Sequence, residues 1–398
     1  MKILHILGSG EIIKDPGAGA LSGVVRAVLE YAKRQAALGH EVQIVGFGQG
    51  NWSAMWAGVK LVSLTEFSWA QIHFAGRHLD FVRHLPFVIY TLSHSFDVVH
   101  THMHPYLRWM RGRLKVAHMH SDPLADAQGE QLAIRKAGLR QLDSQADLVV
   151  AVSHFVQKTM VDDVSTQKLR VIYNGGGFSA DQWSTARLSR NVTRERLGIP
   201  ADAVVILYVG AFVPAKGVHY LARTFLAIAE DYPQAHLALV GGEGLWKGNR
   251  LNNVQMEGYT EKIQHTLASV RDRTHLLGLV PSIRMAETYA AADILVVPSV
   301  WREAFGIAAL EGLSGGLAVV ASASGGLVEL VGNDRGVLVP PGDESALKHA
   351  IAQLIGDSAL RKTLGERGRA YAQQTLFEWD FASGELVGLY REYLGGRK

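Results

Sequence analysis

"DILVVPSVWREAFGIAALEGLSGGLAVVASAS", residues 293–324, sets two short apolar runs on either side of a helix-like stretch. Runs such as Ile294–Val297 and Leu317–Val320, bounded by Pro, Gly and Ser, have the composition of strands buried on both faces. A strand, a helix and a second strand of this kind make the repeating unit of a parallel sheet covered by helices.

The same rhythm runs along the whole chain. In the first half the strand candidates are "KILHIL", "HEVQIVGF", "DVVHTHMH", "KVAHMHS", "DLVVAVS" and "LRVIYN". In the second they are "VVILYVGAF", "HLALVGG", "HLLGL", "DILVVPS", "LAVVASAS" and "GVLVPP". An amphipathic helix is expected from about Val24 to Leu38, with Gly39 in the place of a C-terminal glycine cap. Around residues 175–203 the pattern breaks into a polar, Gly-rich stretch. The chain therefore reads as α/β, with two doubly wound, Rossmann-like domains facing a central cleft. The expected division is 1–178, a linker over 179–203, a second domain over 204–375, and a final helix within 376–398.

Composition narrows the class. The 398 residues are 48% hydrophobic and 19% charged, and the net charge of +3 is too balanced to indicate nucleic-acid binding. The absence of cysteine excludes disulfides and thiolate metal sites. The N-terminal apolar run is too short for a signal peptide, and no stretch reaches the roughly 18 apolar residues of a membrane span. A cytoplasmic location is expected. The Trp-bearing stretch 52–74 and the basic "LRWMRGRLK" at 107–115 read either as core and solvated loop or as a surface meeting a lipid-linked acceptor at the inner face of a membrane.

In open parallel sheets ligands gather beyond the C-terminal strand ends. Four stretches fall there: "GAGALSG" (17–23), "YVGAFVPAKG" (208–217), "PSVWREAFG" (298–306) and "SASGG" (322–326). Gly17, Gly19 and Gly23 would let backbone approach an anion at a helix start, although their spacing is not the dinucleotide fingerprint. Lys216 would bring an ammonium to another helix entrance.

Glu303 and Glu311 stand eight residues apart, roughly 12 Å along a helix. A helix beginning near Phe305 would offer the free N–H groups of Phe305, Gly306, Ile307 and Ala308 to a phosphate. Carboxylates on either side of that phosphate would accept hydrogen bonds from neutral hydroxyls. Hydroxyls, a diphosphate and more hydroxyls describe a nucleotide sugar.

These residues resemble a family. "EAFGIAALE" is similar to the E-x7-E element of retaining, nucleotide-sugar-dependent glycosyltransferases with the GT-B fold, the group of bacterial mannosyltransferases and sucrose synthases. "SGVVRAVLEYAKRQAALGHEV", "VAHMHSD", "VIYNGGGFSADQW", "VGAFVPAKG", "ASASGGLVELV" and "VLVPPGDESAL" resemble further elements of the family in the same order. The resemblance implies that Gly23 and Lys216 contact the donor diphosphate, Glu303 the sugar and Glu311 the ribose. It also implies main-chain contacts from Phe305 to Ala308, a base contact at Val280, and His120 beside the transferred sugar. Expected catalytic residues are His120 and Glu303; no cofactor or metal is expected beyond the nucleotide-sugar co-substrate. A UDP-sugar is favoured over a GDP-sugar, and the acceptor would be a glycan, a glycolipid or a small molecule. Three positions depart from the family pattern: Ala211 stands for its phosphate arginine, Ser22-Gly23 for a Gly-Gly pair, and Asn174-Gly175-Gly176-Gly177 for N-G-V-D.

Two rival readings remain. Twelve of the 17 histidines precede residue 178, and alternation along a strand would put His100, His102 and His104 on one face as a metal triad, the mark of a metallohydrolase. Alternatively, Ala211 marks a catalytically weak nucleotide-sugar-binding relative.

Overall fold

The structure, a computed structural model, describes residues 1–7, 12, 14–16, 21–65, 73–74, 77–78, 80–102, 107–243 and 258–396. Gly17, Gly19 and His104 lie outside the described residues.

The chain divides into two compact units. The first takes in Met1–Pro16, Ser22–Gly175 and the final segment from Glu378; the second runs over Gly176–Phe377.

In the first unit, eight strands form one sheet: β1 (Lys2–Ile6), β2 (Glu41–Phe47), β3 (Trp52–Trp56), β4 (Val59–Leu64), β7 (Val98–Thr101), β8 (Leu114–Met119), β9 (Leu148–Ala151) and β10 (Leu169–Val171). A separate two-stranded ribbon pairs β5 (His73–Phe74) with β6 (Arg77–His78). The sheet order is β10-β9-β8-β7-β1-β2-β4-β3, parallel throughout except where β3 runs against β4. Wholly buried strands such as "LVVA" in β9 explain the continuous apolar runs. The β3–β4 hairpin was not foreseen as strands. In β3 exposed and partly buried residues alternate, as befits an edge with one solvated face.

The first helix spans Gly23–Ala37, one residue earlier than expected at each end. The Ser22 hydroxyl caps it by accepting from the Val25 N–H, which gives the Ser22-Gly23 departure a local purpose. Gly39, at φ +83°, terminates it. The final helix, Trp379–Gly395, packs against this first helix, with the Trp379 ring edge-on to Tyr31 at 5.2 Å.

The second unit has six parallel strands: β11 (Val204–Val209), β12 (Ala235–Val240), β13 (Thr274–Gly278), β14 (Ile294–Val297), β15 (Ala318–Ser322) and β16 (Val337–Val339). Their order is β13-β12-β11-β14-β15-β16. The order in which successive strands are added reverses between β11 and β14, the place where ligands gather in sheets of this kind. The core joins Ile206 and Tyr208 of β11 to Leu221 and Phe225 of the helix Val218–Ile228 and to Ile351 and Leu354 of the helix Glu344–Gly356.

The stretch expected as a linker is folded. It carries the helices Ala180–Leu188 and Arg190–Arg196, the first closed by a reciprocal capping box between Ser179 and Gln182. Arg194 is buried, donating to the carbonyls of Ala201, Ala203 and Ala291 and to Asp293 at 2.8 Å. Its polar sequence therefore reflects interior hydrogen bonding within the second unit. The three glycines just before it are sterically required. A Cβ on Gly175 would lie 2.5 Å from the Trp379 ring; one on Gly176 would lie 2.4 Å from Leu310.

Candidate functional site

In the second unit three loops leave the C-terminal ends of adjacent strands β11, β14 and β15 and lock together. The β11 loop ends in a turn at Pro214–Lys216 and at Gly217, whose φ is +69°. A Cβ there would sit 1.9 Å from the Pro298 carbonyl oxygen, so only glycine lets this loop lie against the β14 loop. The N–H groups of Val300 and Trp301 both donate to the Ala215 carbonyl. The β15 loop approaches from the other side: Gly326 N–H donates to the Glu303 carbonyl at 2.7 Å, and the Ser324 hydroxyl to that of Trp301.

This clasp fixes Glu303. Its Oε1 accepts from Lys216 Nζ at 2.6 Å and from the Ser299 hydroxyl at 2.6 Å. The side chains of Lys216 and Glu303 are 23% and 12% exposed, so the pair is largely desolvated. The sequence reading kept Lys216 for phosphate and Glu303 for sugar as separate groups. The structure makes them one charge-balanced unit, and adds Ser299, which no sequence signal had singled out.

The helix after this loop spans Ile307–Ser314 and starts two residues later than the expected Phe305. The reason is Gly306, at φ +100°, which takes the left-handed conformation at the cap and cannot belong to the helix. The first intrahelical bond runs from the Leu310 N–H to the Gly306 carbonyl. The N–H groups of Ile307 and Ala308 thus belong to the first turn, where the helix itself supplies no acceptor. Phe305 is buried and packs toward Phe377. Glu311 lies in the second turn of the same helix and is 2% exposed. Ala211 is buried beside Val213, its carbonyl accepting from the Tyr208 hydroxyl at 2.8 Å. Val280 is half-buried in the turn after β13, three strands from β14 in the sheet.

In the first unit, Gly23 opens the first helix, and His120 follows β8 directly. His120 is one of five clustered imidazoles. Parallel pairing aligns His5 of β1 with His100 of β7, and β8 contributes His118. His102 and His120 lie just beyond the ends of β7 and β8. A hydrogen-bonded series runs from Gln35 Oε1 to His5 Nε2 at 2.8 Å, from His5 Nδ1 to His102 Nε2 at 3.0 Å, and from His102 Nδ1 to His120 Nε2 at 2.8 Å. His100 meets the Tyr390 hydroxyl of the final helix. Burial pushes His5 down to about 4 and His120 to about 3, and holds His100, His102 and His118 well below the ordinary imidazole value. The expected grouping of His100 and His102 with His104 is replaced, among the described residues, by His102 with His118 and His120, and by His5 with His100 and His102. Sequence reading missed His5 and Gln35, because their meeting depends on which strands and helix become neighbours.

Comparisons with known proteins agree with this fold. Residues 21–175 match the family described as Glycosyltransferase Family 4, and residues 189–371 match Glycosyl transferases group 1. A D-inositol 3-phosphate glycosyltransferase of Corynebacterium jeikeium is 28% identical over 75% of this chain and 73% of its own length. A sucrose-phosphate synthase from Thermosynechococcus elongatus superposes with a TM-score of 0.78 at 23% identity, covering 100% of both chains. Anabaena HepE in complex with UDP-glucose superposes with a TM-score of 0.73 at 21% identity, covering 98% of this chain and 100% of its own. Transfer from a nucleotide sugar is therefore favoured over the metallohydrolase reading. The chain belongs to the nucleotide-sugar-dependent glycosyltransferases with the GT-B fold.

Proposed function

We propose that this enzyme moves a hexosyl group from a UDP-sugar to an acceptor hydroxyl, with retention of anomeric configuration and without a catalytic metal. The observation that carries the reading is Glu303, held by Lys216 and Ser299 one residue-turn before a helix whose second turn carries Glu311. In this reading Lys216 and the N–H groups of Ile307 and Ala308 take the charge of the leaving diphosphate, the task a divalent ion performs in other transferases. Phe305 and Gly306 shape the approach to that helix start. Glu303 accepts from sugar hydroxyls, Glu311 from the ribose, and Val280 meets the base through its main chain. Gly23 is assigned a phosphate contact and His120 the transferred sugar.

The UDP preference is supported by the HepE complex with UDP-glucose, a structural relative. The acceptor is a glycan, a glycolipid or a small molecule. The relatives named for D-inositol 3-phosphate make a phosphorylated polyol the first small acceptor to try. A cytoplasmic location, with acceptor contact at a membrane face, fits this chemistry; among the described residues no helix is long and apolar enough to cross a membrane.

A thermal-shift panel of UDP, GDP and ADP tests the donor, because a ligand at 100 times its Kd stabilises by about 2.7 kcal/mol. UDP should raise the Tm most. A larger shift with GDP or ADP overturns the base assignment. Proton NMR of the product should give the donor's anomeric configuration, and EDTA should leave turnover intact. Inversion, or activity lost to EDTA and restored by a divalent ion, overturns the mechanism.

A further inference from the structure

The five-histidine cluster has no place in the donor chemistry beyond His120, yet its construction is specific. Gln35 Oε1 can only accept, so His5 carries its proton on Nε2 and presents a lone pair at Nδ1. That lone pair takes the proton of His102 Nε2, which leaves the His102 Nδ1 lone pair aimed at His120. A metal-ligating histidine shows this same arrangement, its far nitrogen donating to a fixed acceptor. Beside it, His118 is 1% exposed and neither of its ring nitrogens has a hydrogen-bond partner among the described residues. Burying such a polar group unpaired is costly unless a ligand satisfies it. Its ring stacks at 4.3 Å on His120 and lies 5.5 Å from His102.

One nitrogen from each of His102, His118 and His120 lies within 4.8 Å of the other two. Tetrahedral zinc with bonds of about 2.0–2.1 Å needs its nitrogens roughly 3.3 Å apart. The rings therefore reach that geometry by shifts of about an ångström, with His120 moving its proton from Nε2 to Nδ1. His120, half-buried at the strand end, is the side from which an ion would enter.

We propose that His102, His118 and His120 form a site for a divalent transition metal of the zinc class, with an open fourth position. Three neutral imidazoles and no carboxylate select Zn²⁺, Co²⁺, Ni²⁺ or Cu²⁺ over Mg²⁺, Ca²⁺ or Mn²⁺. The ion is an effector and takes no part in transfer. It occupies His120, and insofar as that residue serves the sugar, a filled site stops turnover.

The experiment uses the full chain without an affinity tag, stripped with EDTA and titrated with Co²⁺ in the absence of donor. Intense visible bands of four-coordinate cobalt, saturating at one equivalent and displaced by Zn²⁺, are expected. His118→Leu should abolish them while transfer without metal persists; His118→Asn replaces it should the leucine variant fail to fold. Only the weak spectrum of hydrated Co²⁺, or bands that survive loss of His118, overturns the site. A loaded enzyme that still transfers sugar leaves the metal site standing and overturns the role of His120.

Discussion

At the scale of single residues, the Lys216–Glu303 pair changes what mutation should do. Were the two groups independent, their substitutions would add. Because each neutralises the other at 2.6 Å in a largely desolvated site, removing either one takes away the opposite charge that the other is built against. Urea unfolding of Lys216→Met, Glu303→Gln and the double variant should show a coupling of about 0.5–3 kcal/mol. Additive effects would mean that the pair is not formed in solution. For ligands, Glu311→Ala should weaken UDP and UDP-sugar alike, whereas Glu303→Gln should weaken the sugar nucleotide more than bare UDP, measured by titration calorimetry. That Lys216 and Glu303 lie in loops following strands was legible in the sequence. Their direct contact was not, since 87 residues separate them.

The buried imidazoles give a second prediction at this scale. His5 is fully buried, and its value falls from 6.5 in the unfolded chain to about 4. Between those values the unfolded state binds the extra proton, so stability declines as pH falls below about 6.5 and levels off below about 4. From pH 7 to pH 5 this one group costs about 2 kcal/mol. The other four shift in the same direction, so urea midpoints should fall steeply over that interval. Flat midpoints from pH 7 to 5 would mean that the cluster is already charged or solvated in the folded protein.

At the scale of elements, continuous apolar strands and amphipathic helices were readable because their periods follow from burial alone. Failures occurred where composition and burial diverge. The stretch 179–203 looked like a linker because the pattern there turns polar after a run of glycines, yet Arg194 is 2% exposed and its side chain satisfies carbonyls from two turns as well as Asp293. Arg194→Leu takes this donor from the carbonyls, while Asp293 keeps Arg190 and the Val205 N–H. A loss of about 1–3 kcal/mol is expected from urea denaturation. A loss below 1 kcal/mol would restore the linker reading of this stretch. The start of the helix Ile307–Ser314 was misplaced for a different reason. Gly306 could have continued a helix on sequence grounds; its left-handed φ, and Leu327, which would stand 2.5 Å from any Cβ there, both call for glycine at this position.

At the scale of the whole molecule, the final helix is sequence-distant and structurally central to the first unit. Tyr390 is buried and meets His100, Trp379 lies against Tyr31, and the Ser383 hydroxyl donates to the Tyr31 carbonyl. A chain ended at Phe377 should therefore expose the face of the first helix and aggregate, as judged by size-exclusion chromatography. A monodisperse truncated protein with an unchanged Tm would show that the helix is dispensable.

The interlocked loops of the second unit bear on how donor preference could change. A side chain at Gly217 would strike Pro298, and one at Gly325 would come within 2.1 Å of the Glu303 carbonyl oxygen. Neither loop can be redrawn while its neighbour keeps its path. Swapping one loop from a transferase of different specificity should yield a damaged protein, whereas moving 210–217, 298–306 and 322–326 as a block should preserve a working site. On the proposed donor site, the unit that would have to change together is a trio of segments drawn from over a hundred residues of chain, so concerted replacement is expected to succeed where point changes fail.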